Sequence, residues 1–108
     1  MERNKLHLLH IRDAIEKIES YSKDTDYETF AKSGVEYDAI MMQMVVIGEA
    51  VNSLSEDFIE KYHNLPWGKA VGMRNRIAHG YFDINPKIVW ETAKEDLPVL
   101  RKDIERLL

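Results

Sequence analysis

The sequence predicts an all-α fold, an antiparallel bundle of four main helices and one short one. Apolar residues recur every three or four positions through most of the chain, the spacing of one helix face. No alternating strand pattern, internal repeat or interdomain linker is visible. Asn64-Leu65-Pro66 and Asn85-Pro86 each break the pattern and restart it, as proline does in a first helical turn. With 108 residues the chain forms one domain, residues 1–108, by the usual length prior.

The first helix is expected from about Arg3 to Tyr21. Leu8, Ile11, Ile15 and Ile18 line one face, and Asp13, Glu16, Lys17 and Glu19 fill the other. A polar connector, Ser22 to Asp26, follows. Thr25 with Glu28, and Ser33 with Glu36, have capping-box spacing. A short helical turn over Asp26–Ala31, broken near Gly34, fits between them. The long third segment starts around Val35 and is apolar nearly all round from Ile40 to Leu54, so it must be covered on more than one side. In so short a chain that suggests a central helix that also meets a second subunit. Gly48 and Ala50 are small enough for close backbone approach. Phe58, Ile59 and Tyr62 carry an apolar face on to the end of this segment. A fourth helix is expected from Pro66 to about His79, with Gly80 as its C-terminal cap. The last helix carries the stripe Val89, Ala93, Leu97, Leu100, Ile104 and Leu107, and Pro98 inside it should cost one backbone hydrogen bond and kink it.

Composition narrows the chemistry. Hydrophobic residues are 44% and charged residues 31%, as in ordinary globular proteins. There is no cysteine, which excludes disulfides, thiol nucleophiles and cysteine-based zinc sites. The amino-terminal residues lack the apolar core of a signal peptide, and the run Ile40–Leu54 is too short to span a membrane. A cytoplasmic protein is expected. The net charge of −4 would not drive the whole molecule onto nucleic acid. From Lys61 to Phe82, however, Lys61, Lys69, Arg74 and Arg76 stand with no Asp or Glu. Such a local basic face on an acidic protein can bind phosphate.

Within that stretch lies Arg74-Asn75-Arg76-Ile77-Ala78-His79-Gly80-Tyr81. Arginine grips phosphate with a planar fork, and histidine moves protons near neutral pH. Together they can cleave RNA without a metal. One takes the proton from a 2′-hydroxyl and the other neutralises the phosphorane. Helical geometry qualifies the pairing. Asn75 and His79 share a face, but Arg74 and His79 stand about 140° apart around the axis. Arg74 must reach around, or His79 must lie beyond the regular helix, or a second subunit must share the site. A two-fold dimer would bring two arginines and two histidines into one cleft.

The motif Arg74-Asn75-x-x-x-His79-x-Tyr81 resembles the signature of the HEPN superfamily, and most closely the HepT-like toxins of nucleotidyltransferase/HEPN toxin–antitoxin pairs. The resemblance extends to Ile47-Gly48-Glu49-Ala50-Val51, to the Leu65-Pro66-Trp67 entry and to the His79-Gly80-Tyr81-Phe82-Asp83 exit. It implies a dimeric helical bundle that cuts RNA without metal or cofactor, with Arg74 and His79 as the catalytic pair and Asn75 ordering the site. It also implies a partner nucleotidyltransferase antitoxin that transfers AMP from ATP to Tyr81 and silences the toxin. A bulky anion two residues beyond His79 would block RNA and oppose its phosphate.

Glu49, inside the apolar run, is expected to be buried and paired with Arg74 or Arg76. Such a pair could orient the arginine or be merely structural. Arg76 is a candidate RNA contact, and Lys69 a surface residue. His7, His10 and His63 form no metal-ligand set. Met41, Met42 and Met44 are expected in core or dimer packing, Trp67 and Trp90 as core anchors, and Tyr37 in the core. Two other readings stay open: a non-catalytic module that binds a nucleotide or a nucleotidyltransferase, and a purely structural helical dimer.

Overall fold

The periodic segments fold as helices, and a computed structural model describes residues 2–32 and 34–108. Helix α1 spans Glu2–Ser22, α2 Tyr27–Lys32, α3 Gly34–Asn52, α4 Glu56–Lys61, α5 Trp67–Gly80, α6 Pro86–Glu91 and α7 Leu97–Leu107. A 3₁₀ turn, Tyr81–Asp83, follows α5, and a π turn, Thr92–Asp96, joins α6 to α7. The described residues contain no strand, and the all-α expectation holds. None of their helices is long and apolar enough to cross a membrane.

The core follows the sequence stripes. Leu8, Ile11, Ile15 and Ile18 of α1 are buried against α3, whose Ile40, Met41, Met44, Ile47 and Val51 fill the centre. The other side of α3 packs on α5 through Ala70, Met73 and Ile77. Val89, Ala93, Leu97, Leu100 and Ile104 close the bundle over α1. Trp67 is a core anchor whose indole N–H donates to the Tyr62 carbonyl at 2.9 Å. Trp90 is only half-buried. It packs on Phe30 and lies under the Lys94 ammonium, which also reaches the Ser22 carbonyl at the end of α1. Tyr37 packs against Phe30 at the core's edge.

Several local expectations need correction. Asp26, not Thr25, caps α2: its carboxylate accepts from the Thr29 amide at 2.8 Å, which holds its pKa below the usual carboxylate value. The Ser33 capping pair lies outside the described residues. The third segment does not run on to Tyr62. It stops at Asn52, and Ser55 starts α4 by accepting from the Phe58 amide. Buried Asn4 braces that start, donating to the Ser55 hydroxyl and accepting from its amide. Gly80 is no left-handed cap. Its φ is −155°, and the chain winds on into the 3₁₀ turn. Pro98 costs its hydrogen bond as expected, but the helix adapts one turn earlier. The Leu97 amide bonds back five residues to the Thr92 carbonyl, and the widened turn takes up the missing donor.

Candidate functional site

Helix α5 carries the motif and α3 sets it. Gly48 of α3 lies directly beneath Arg74. A Cβ placed on it would stand 2.2 Å from the Arg74 Cβ and 3.2 Å from the Ala70 carbonyl. Only a residue without a side chain lets the two helices meet this closely. The sequence expectation for Gly48 is met, with α5 as the partner.

The close approach places the Arg74 guanidinium against Glu49. Its Nε and Nη2 donate to Glu49 Oε1 at 2.7 and 2.6 Å, and Nη1 donates to Asn75 Oδ1 at 3.0 Å. The remaining N–H groups of the fork have no acceptor among the described residues and can meet an oxyanion. Glu49 is not buried as expected. Its side chain is 55% exposed and that of Arg74 30%. Glu49 sits on the surface-facing stripe of α3, where water and one arginine satisfy it without a desolvation cost.

His79 is built differently. It lies within α5, so the option that it stands beyond the regular helix falls away. Its ring is exposed, and no hydrogen bond or ion pair from the described residues holds it. It faces a surface groove of about 420 Å³ lined by Arg76, Gly80, Asp83, Ile84, Asn85 and Ile88. Arg76, three residues before His79 and so on the same side, is exposed and has no ion pair among the described residues. Arg74 does not line that groove. Asn75 stands between the two in angle, about 40° from His79, and the Glu49–Arg74–Asn75 chain of hydrogen bonds leads toward the histidine.

Tyr81 opens the 3₁₀ turn, and its hydroxyl donates to Asp38 Oδ1 near the start of α3. The acceptor carboxylate pushes the phenol's pKa up to about 12, because ionisation would break the bond and set two negative charges together. Sequence reasoning missed Asp38. The signal was available: Asp38 and Glu49 are eleven apart on one helix, which returns them to the same face about three turns apart.

That same face of α3 is unusually apolar for a surface. Val35 is 79% exposed and Met42 60%, with Val46 beside them. All three fall with Asp38 and Glu49 within one narrow stripe. Phe82, after Tyr81, is 97% exposed and meets the Tyr81 ring edge to face. Met42 therefore does not join Met41 and Met44 in the core of this chain. The other histidines are remote. His7 and His10 meet edge to face on α1, and His63 bonds the Glu60 carbonyl.

Residues 11–107 match the model of a family described as "Ribonuclease HepT-like". A Methanocaldococcus jannaschii protein named "Putative RNase MJ0125" is 36% identical over 104 residues, covering 96% of this chain and 90% of its own. "Probable ribonuclease HepT" from Thermococcus cleftensis is 32% identical over 104 residues, covering 96% and 94%. A longer M. jannaschii protein, "Gamma-glutamylcyclotransferase and putative RNase MJ0434", is 36% identical over 104 residues, and this chain spans 47% of its length. No solved structure matches. The chain belongs to the HepT-like ribonuclease family.

Proposed function

We propose that the protein is a metal-independent endoribonuclease toxin with Arg74 and His79 as its catalytic pair. The observation that carries this reading is the preset arginine. A guanidinium fixed by Glu49 and Asn75 with donors to spare, on the same helix as an exposed histidine in an open groove, suits charge stabilisation during in-line attack on a phosphodiester. His79 takes the proton of the 2′-hydroxyl as its oxygen bonds to phosphorus. Arg74 meets the charge that builds on the phosphorane oxygens. The bond from phosphorus to the 5′-oxygen breaks, leaving a 2′,3′-cyclic phosphate and a 5′-hydroxyl. DNA lacks the nucleophile. Asn75 keeps the arginine turned toward His79, Arg76 holds a neighbouring phosphate, and Glu49 orients Arg74.

The working form is a homodimer. Val35, Met42, Val46 and Phe82 expose apolar surface on the side that carries Glu49 and Tyr81, and a second copy covering that face would make a shared cleft. A second His79 would then protonate the leaving 5′-oxygen. Silencing comes from a nucleotidyltransferase antitoxin that adds AMP to Tyr81, whose exposed hydroxyl lies two residues from His79.

The test is incubation of the pure protein with total RNA in EDTA, beside an Arg74→Ala control, with analysis of the new ends. Discrete cuts with 2′,3′-cyclic phosphate ends, lost in the control, support the assignment. Equal cutting by the control refutes it. For the modification, intact mass after incubation with the cognate nucleotidyltransferase and ATP should rise by AMP units, and Tyr81→Phe should abolish the rise.

A further inference from the structure

We propose that Asp38 is a positioning residue of the nuclease site: by accepting the Tyr81 hydroxyl it ties the turn after α5 to α3 and holds His79 and its groove in working geometry. This rests on the reading of His79 as the proton-transfer group.

The turn Tyr81–Asp83 has little else to hold it. None of its residues is buried, no side chain caps its start, and Phe82 is almost fully in water. A segment with so few buried contacts belongs to the easily opened part of a protein. Among the described residues, the one side-chain hydrogen bond from this turn to another element is Tyr81 to Asp38, across 43 positions of sequence. A bond to a carboxylate is the stronger kind. Gly80 alone separates Tyr81 from His79, and Gly80 puts no side chain in the way of a swing. Asp83, at the other end of the turn, lines the same groove as His79. Releasing the turn therefore moves both the histidine's neighbour and the wall it faces.

Helix α3 thus docks the motif at two points. Glu49 takes Arg74 and Asp38 takes Tyr81, both from one face of α3. An arginine and a histidine on different sides of α5 are framed against a single rigid element. A regulatory consequence follows. A phosphorus on the Tyr81 oxygen removes the donor and sets negative charge beside Asp38, so an anionic modification unties the turn as well as obstructing the groove.

The experiment compares Asp38→Ala, Asp38→Asn, Tyr81→Phe and the Asp38→Ala/Tyr81→Phe double variant in the full chain. Steady-state RNA cleavage is measured together with the NMR signals of the His79 ring. Asp38→Ala and Tyr81→Phe should each lower kcat about tenfold with KM nearly unchanged, and the double variant should be no worse than either. Asp38→Asn, whose amide oxygen still accepts, should recover most of the loss. The His79 signals should shift alike in both single variants while the bundle stays folded. Silent single variants, losses that multiply in the double variant, or unmoved His79 signals overturn the proposal. If the parent protein cuts no RNA, the nuclease reading falls and the catalytic half of this proposal with it. The His79 signals then test the tether alone, and their failure to move refutes it.

Discussion

The two ends of the Arg74–His79 motif are built on opposite terms. At Arg74 everything is fixed beforehand: a glycine beneath it, a carboxylate on two of its nitrogens and an amide on a third. At His79, about one and a half turns on, none of the described residues bonds the ring, and the groove before it is open. The contrast fits a division of labour. A group that only stabilises charge gains from being held still, because no reorganisation is then needed as charge develops. A group that exchanges protons must stay free to meet the substrate.

The largest way to break this comparison is to remove the fixed end. Arg74→Ala should cut the cleavage rate by about 10²–10³-fold, the usual loss for an oxyanion partner, in single-turnover assays. Its melting temperature should fall little, because an ion pair this exposed contributes about 0–1 kcal/mol. Gly48→Ala attacks the same end through packing. The new methyl meets the Arg74 Cβ and must push α3 and α5 apart. Denaturant unfolding should show a loss of about 1–3 kcal/mol, with cleavage falling as Arg74 is displaced. Gly72→Ala sharpens the point by contrast. Nothing beyond its own stretch of helix lies within 4 Å of its missing Cβ, so the same substitution should stabilise α5 by about 0.5–1 kcal/mol.

A smaller effect should be visible in alkali. The Tyr81 phenol has its pKa raised to about 12 by its bond to Asp38. Its contribution to stability is therefore whole below the ordinary tyrosine value of about 10 and is lost as pH rises through the folded-state value. An ultraviolet titration of the folded protein should show a tyrosine ionising near 12. Asp38→Ala should move that step toward lower pH.

Much of this was legible in the sequence. The stripes of α1 and the last helix, the fresh starts at Pro66 and Asn85, and the central place of α3 are all periodicity or proline chemistry, which act locally. What was not legible depends on three-dimensional partners. The break at Ser53–Ser55 needs Asn4, fifty-one positions away, to brace the new helix start. Gly80 reads as a cap, yet the chain winds on in a 3₁₀ turn, so a left-handed residue is not required there. Glu49 reads as buried because its neighbours are apolar, but its own face of α3 is the outer one. Asp38 drew no notice because a single carboxylate in a first helical turn usually serves the helix itself. Only the fold shows that it meets Tyr81. The motif was readable as a string, while its split between a fixed and an open end is a property of how α3 and α5 pack.

The most direct test of that split is His79→Ala, assayed for RNA cleavage in EDTA beside its melting curve. The account predicts a rate at least about 100-fold below the parent, because the proton acceptor is gone. It also predicts an unchanged melting temperature, because nothing in the fold leans on the ring. Cleavage at the parental rate would contradict the assignment of His79. A large drop in melting temperature would contradict the claim that the His79 ring is left free.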